Sequence, residues 1–341
     1  MPQNRTNSPR TTLLFIGLLL LCTLLFIVDL VFGSISIPLS DVIKSFTGQN
    51  EQSTYNEIII NFRLPKALTA ILAGAALSVA GLLMQTLFQN PLAGPDVLGV
   101  SSGASLGVAL FLMVGSFLPF IGIHSGLGIV IAAIIGAVGI LLLMLSASVK
   151  IRNSVSLLII GIMVGSMTGA VVSIIQNYSN PDALKLFVVW TLGSLSAVSW
   201  TYMQLMAPLV ILGLGISFFI QKQLNALLLG ENYASGLGVA VFRVRFLIII
   251  ATGILAGATT AFTGPIAFIG VAVPHIARGL FRSSNHKIIL PASILCGSGL
   301  LLVCDIVSQI SIYTIPINAI SSLFGAPLII WIILTNGKKQ V

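Results

Sequence analysis

Residues 63–95 read RLPKALTAILAGAALSVAGLLMQTLFQNPLAGP, one apolar run with a basic pair at its start and a polar, proline-broken loop at its end. Arg63 and Lys66 open it, and Gln89-Asn90-Pro91-Leu92-Ala93-Gly94-Pro95 closes it. A stretch of roughly twenty apolar residues spans a bilayer as a helix, so the charge and the broken backbone belong at opposite membrane faces. Part of the run recurs: Ile71-Leu72-Ala73-Gly74-Ala75 with Gly81 is matched by Ile254-Leu255-Ala256-Gly257-Ala258 with Gly264 at the same spacing. Repeated spans around broken helices are a transporter pattern.

The rest of the chain has the same character. Hydrophobic residues make up 57% and charged residues 7%, which excludes a soluble globular chain. Runs long enough to span fall near 12–32, 67–88, 97–117, 127–147, 157–176, 204–220, 243–263, 288–308 and 316–335. A shorter run at 265–280, broken by Pro265 and Pro274, supplies a tenth. The expected fold is therefore an all-α membrane protein of about ten transmembrane helices, a single multi-span domain over 1–341. The first run is about 21 residues, too long for a typical secretory h-region, and no clear small-x-small cleavage site follows, so it reads as an uncleaved span.

The formal charge of +8 does not mark a nucleic-acid binder. With alternating spans, one side receives Arg5, Arg10, Lys150, Arg152, Lys222, Arg243, Arg245, Arg278, Arg282, Lys287, Lys338 and Lys339, and the other Lys44, Arg63, Lys66 and Lys185. That asymmetry follows the positive-inside rule and puts both termini in the cytoplasm. Five crossings then separate the two matched segments, an odd number, so they run in opposite directions as an inverted repeat. Residues 33–58 fall outside and read as partly extended. Residues 177–202 also fall outside, where Asp182 and Lys185 begin a moderately apolar stretch to Trp200 that reads as a short helix packed at the interface.

Chemistry-bearing patterns are sparse. Cys22, Cys296 and Cys304 lie in apolar runs without pairing or ligand spacing and read as small core residues. Asp29 and Asp305 are the acids that stand out near the external ends of spans. Such residues are functional candidates by default, though each can also reach interfacial water. Gly161, Gly165 and Gly169 form a small face on the fifth span, and Gly103/Gly107 and Gly253/Gly257 are further GxxxG pairs suited to close helix packing. No G-x-x-x-x-G-K-[ST] or H-E-x-x-H occurs. Neither a catalytic residue nor a metal or cofactor site is expected.

Several stretches in order carry a family likeness: Arg63-Leu64-Pro65-Lys66 with its helix, Asn90-Pro91-Leu92 through Gly103, Gly230-Glu231 with Ala234 and Gly236-Leu237-Gly238, and Gly264 through Arg278. The ending from Ile315-Pro316 to Pro327 fits as well. The chain resembles the permease subunits of bacterial ATP-binding-cassette importers for iron-siderophores, haem and vitamin B12. The resemblance implies a permease dimer in the inner membrane, made with a second copy or a related permease. It also implies two ATP-binding subunits inside, which hydrolyse the ATP, and a substrate-binding protein outside. Arg63 and Lys66 would receive acidic residues of that binding protein; the plainer alternative is snorkelling charges that anchor a helix end. At a further basic docking position this chain has Gln309. Asn90, Pro91 and Leu92 would form a cytoplasmic gate together with Ser154, unless they make only a tight turn. Gly230, Glu231, Ala234, Gly236, Leu237 and Gly238, within a cytoplasmic insertion at about 222–245, would couple to the ATPase. His275 and Arg278 are assigned packing or interfacial roles. A secondary transporter is the alternative, and it would need a coupling carboxylate such as Asp29 or Asp305.

Overall fold

The computed structural model describes residues 9–33, 35–47, 54–114, 126–151, 153–310 and 314–337. Arg5, Arg152, Lys338 and Lys339 of the charge tally lie outside them. Every regular element among the described residues is helical. Among the described residues, seven helices are long and apolar enough to cross a membrane: α1 (Pro9–Val31), the continuous run Thr54–Phe88 that begins with α3 (Thr54–Ile58) and ends in α4 (Leu64–Phe88), α6 (Gly126–Lys150), α7 (Ser154–Asn177), α9 (Trp200–Phe219), α12 (Val241–Thr263) and α14 (His286–Ser308). Apolar helices occupy the remaining runs as well: α5 (Val100–Ala109, continued by a π turn to Val114), α13 (Ile269–Phe281) and α15 (Ile317–Gly337). The elements between them are α2 (Leu39–Phe46), α8 (Pro181–Thr191), α10 (Gln221–Leu227) and α11 (Glu231–Gly236).

Burial sorts these helices into a centre and a periphery. In the apolar windows 83% of α3–α4, 78% of α12 and 72% of α14 is buried, against 11% of α1 and 17% of α7. Lipid is as apolar as leucine, so the centre is held by close approach and hydrogen bonds rather than by a hydrophobic drive. Gly74 of α4 meets Gly297 of α14 backbone to backbone, and Gly81 lies on the Gly270 carbonyl of α13. A Cβ at Gly81 would overlap that carbonyl, so alanine there must push α4 and α13 apart. Between α4 and α14, Ser78 Oγ donates to Ser293 O at 2.8 Å and Ser298 Oγ to Ile71 O at 2.9 Å. Such bonds contribute about 0.6 kcal/mol each on average in membranes.

The expected GxxxG pairs diverge. Gly103 and Gly107 of α5 interlock with Gly136 and Ala132 of α6. On α7, Gly161 receives the Val97 carbonyl, whereas Gly169 has nothing within 4 Å. The matched repeat segments also sit differently: Gly81 is inside α4, while Gly264 caps the end of α12 with φ 75°.

Two connecting segments differ from expectation. The region after α1, expected to be partly extended, is non-helical at its described residues up to Pro38 and then carries the helices α2 and α3 (Thr54–Ile58), with 48–53 outside the description. Asp41 in the first turn of α2 and Lys44 in its last suit the helix dipole. The helix beginning near Asp182 forms as α8 but ends at Thr191, before Gly193 at φ 73°.

Candidate gating and coupling site

At one end of the bundle three elements converge, and each is shaped by local sequence. The first is the loop after α4. Gln89 ends the helix in the left-handed region at φ 48°, and Pro91 cannot continue it. Asn90 Oδ1 then accepts from Leu92 N at 2.9 Å, closing an Asx turn. His275 Nε2 donates to Pro91 O at 2.8 Å. Arg278 Nη1 donates to Gln85 Oε1 at 2.7 Å, and Gln85 Nε2 donates to Val271 O at 3.1 Å. His275 and Arg278 thus brace the loop and the last turn of α4 from α13, which specifies the packing role expected for them.

The second element is the α10–α11 turn. Gly230 has φ 100°, ψ 151°, outside the range other residues adopt readily, and caps α11 directly before Glu231. Ala234 is fully buried under the turn, and Gly238 closes the segment at φ 82°. Leu229, Tyr233 and Leu237 instead face outward, 63%, 56% and 60% exposed, and make an apolar tip. Gly236 has open space around it.

The third element is the α6–α7 turn, where Asn153 caps α7 by accepting from Val155 N and Ser156 N. Ser154 Oγ donates to Glu231 Oε1 at 2.6 Å. Arg245 Nη2 lies 2.7 Å from the same oxygen, and Arg245 Nη1 donates to Ile151 O at 2.9 Å. From the other side, Gln89 Nε2 donates to Leu227 O at 2.9 Å. A cavity of about 680 Å³ lies between the three elements, lined among others by Phe88, Gln89, Asn153, Ser154, Gly230 and Glu231. The structure therefore joins Ser154 to the predicted coupling residues. Leu92 projects away, 47% exposed, and does not line this cavity.

Sequence reading missed Arg245 and Gln89. In the sequence Arg245 is one basic residue among many at a span end, yet the residue is only 4% exposed inside the fold. Asp96, exposed at the start of the Pro95–Leu98 3-10 turn and bonded to Ser101 Oγ at 2.9 Å, was also passed over. Deeper in, Thr86 Oγ1 pairs with His286 Nε2 at 2.9 Å, and His286 Nδ1 with Asn225 Oδ1 of α10 at 2.9 Å.

At the opposite end of α4 the basic pair is drawn inward. Arg63 donates through Nη1 to Leu30 O at 2.7 Å and Val31 O at 2.8 Å, and through Nη2 to Ile35 O. Lys66 Nζ lies 2.9 Å from Asp305 Oδ2, with side chains 13% and 2% exposed. Gln309 Nε2 donates to Asp29 Oδ1 at 2.9 Å and lies 3.3 Å from Asp305 Oδ2. Residues considered separately from sequence form one network across α1, α4 and α14. A cavity of about 320 Å³ beside it is lined by Arg63, Lys66, Gln309, Asn61, Ser196 and Ser199 among others. Among the described residues, no group of three His, Cys, Asp or Glu is placed to hold a metal ion.

A membrane helix bundle with polar networks at both ends and a turn-bearing insertion at one of them defines a multi-span permease. The chain belongs to the FecCD transport family, whose model matches residues 19–335, and it is the permease component of an ABC importer. It is 37% identical to the uncharacterized ABC transporter permease protein YvrB of Bacillus subtilis, over 90% of this chain and 89% of that one. It is 35% identical to the vitamin B12 import system permease protein BtuC of Vibrio cholerae and 33% identical to the hemin transport system permease protein HmuU of Yersinia pestis. Each of those alignments covers 83% of this chain and 85% of the relative. A solved inward-facing ABC transporter described as of metal-chelate type superposes with a TM-score of 0.83 at 30% identity, over 94% of this chain and 99% of that one.

Proposed function

We propose that this permease moves an iron-siderophore complex, haem or a corrinoid into the cytoplasm through a pathway between two permease subunits, driven by ATP hydrolysis on two separate ATP-binding subunits. In this reading ten helices span the inner membrane as two inverted halves, with both termini and the α10–α11 turn in the cytoplasm. A substrate-binding protein delivers cargo at the Lys66 end. The observation that carries the proposal is the convergence of the α10–α11 turn, the loop after α4 and the start of α7 on one cavity. An ATPase seated on the exposed Leu229–Tyr233–Leu237 tip would then bear on Ser154, bonded to Glu231, and on the end of α4 that leads into Asn90-Pro91-Leu92, the gate elements. Gly230, Glu231, Ala234, Gly236, Leu237 and Gly238 are the coupling segment.

Bulky cargo fits what the relatives are named for, vitamin B12 and hemin, and the metal-chelate description of the solved transporter. Docking of the binding protein belongs at the mouth of the cavity lined by Arg63, Lys66 and Gln309. Asp305 already holds Lys66, so an incoming carboxylate must compete with it. The test is uptake into proteoliposomes holding the permease with its cognate ATPase and binding protein. Ferric siderophore, haem and cobalamin are offered in turn. Accumulation of one of them only with ATP inside and binding protein outside is the expected result; accumulation driven by an ion gradient without ATP overturns it.

A further inference from the structure

We propose that Arg245 and Gln89 carry a movement of the coupling turn to both gate elements, Arg245 as a positioning residue acting through Glu231. This rests on the coupling reading above and names the side chains that would transmit it.

The bonds that tie the turn to the gate elements leave it on either side of Gly230. On one side Leu227 O accepts from Gln89, the residue directly before Asn90-Pro91-Leu92. On the other, one oxygen of Glu231 accepts from both Ser154 Oγ and Arg245 Nη2. Gly230, at φ 100°, is the point about which these two attachments can move relative to each other.

The two donors differ in what anchors them. Arg245 projects from α12, a central and largely buried helix, and its second nitrogen holds Ile151 O at the end of α6. One planar guanidinium therefore fixes the backbone of the α6–α7 turn and the direction of Glu231 together. A lysine, a point charge without the fork, cannot hold both in that geometry. Gln89 is anchored by strain instead. It is a non-glycine residue at φ 48°, a conformation that persists when surrounding bonds over-determine it. The hydrogen bond that its side-chain amide donates to Leu227 O is one such bond, so withdrawal of the α10–α11 turn frees the backbone next to the gate loop.

The test uses the reconstituted complex of permease, ATPase and binding protein, and measures cargo taken up per ATP hydrolysed. Arg245→Lys and Gln89→Gly are each expected to lower that ratio about tenfold, within the usual span of coupling between sites. Gln89→Gly is at home in the left-handed backbone and removes the whole side chain, its amide donor included, at an exposed position, so it tests the link at little cost to the fold. Arg245→Lys combined with Glu231→Gln should lose no more than the worse single variant, because both break one relay. Wild-type ratios in Gln89→Gly and Arg245→Lys, or losses that multiply in the Arg245/Glu231 pair, overturn the inference. If the unmodified complex already takes up nothing on ATP, the coupling reading itself fails, and that outcome is distinct from loss confined to the variants.

Discussion

The two ends of α4 handle buried charge in opposite ways. At the Lys66 end, Lys66, Asp305, Asp29 and Gln309 come from long helices, and Asp305 of the Lys66–Asp305 pair is only 2% exposed. At the Gly230 end, Glu231 is 31% exposed and bridges a turn, a helix start and a helix base. A pair locked among packed helices contributes rigidity. A carboxylate shared among turns can change partners at lower cost, because water can take over part of its solvation. The first arrangement suits a fixed platform, the second a moving joint.

The largest effect should come from breaking the closed end. Asp305→Ala leaves Lys66 buried without its carboxylate, a loss typically of about 3–5 kcal/mol. Glu231→Ala takes one partner from Arg245, which is also buried, but Ile151 O still accepts from it and water reaches the Glu231 side, so the cost should be less, about 2–3 kcal/mol. Thermal melting of the purified permease in detergent compares them, and an equal or larger shift for Glu231→Ala would erase the distinction between the ends.

A second experiment separates stability from docking at the Lys66 end. Reversing Arg63 and Lys66 to glutamate would set new carboxylates against Asp29 and Asp305, so lost uptake would not isolate docking. Lys66→Gln with Asp305→Asn removes the pair together and should recover much of the stability that Lys66→Gln alone loses, a coupling of about 1–3 kcal/mol. If Lys66 also receives the binding protein, its affinity for the double variant falls even though the melting temperature recovers. Unchanged affinity assigns Lys66 to the platform alone.

At the joint, Gly230→Val forces a β-branched residue to φ 100°, strain of about 1–3 kcal/mol. ATP-driven uptake should drop out of proportion to that stability loss; a drop that merely tracks the amount of folded protein would remove the turn from coupling. The smallest stability effect belongs to Leu92→Ala, within about 0.5 kcal/mol because the side chain is exposed. Its readout is passive leak of small solutes or basal ATPase activity, and no change in either leaves the loop as a turn.

Much of this was legible from local sequence. Helix content and the positions of membrane runs follow from hydropathy, and the break after α4 from Pro91. The turn at Gly230 and the helix opening at Glu231 follow from glycine and an acidic first-turn residue. Helices α2 and α3 do not stand out in a stretch that reads as partly extended, because a short helix shows too few turns for its period to emerge. The Asp305–Gln309 relation was available as an i,i+4 spacing on α14, but Asp29 lies 280 residues from Gln309 and no local pattern ties them.

What the sequence by itself determined is where the chain enters and leaves the apolar phase and where its backbone must turn, since hydropathy, proline and glycine act within a few residues. Only the tertiary structure decided which polar groups meet. It drew Lys66 to Asp305 and buried Arg245 between Glu231 and Ile151. It also joined Gln89 to Leu227. The physical reason is that a buried polar group must find a partner among whatever neighbours helix packing supplies, and the order of packing is set by contacts spread over the whole chain.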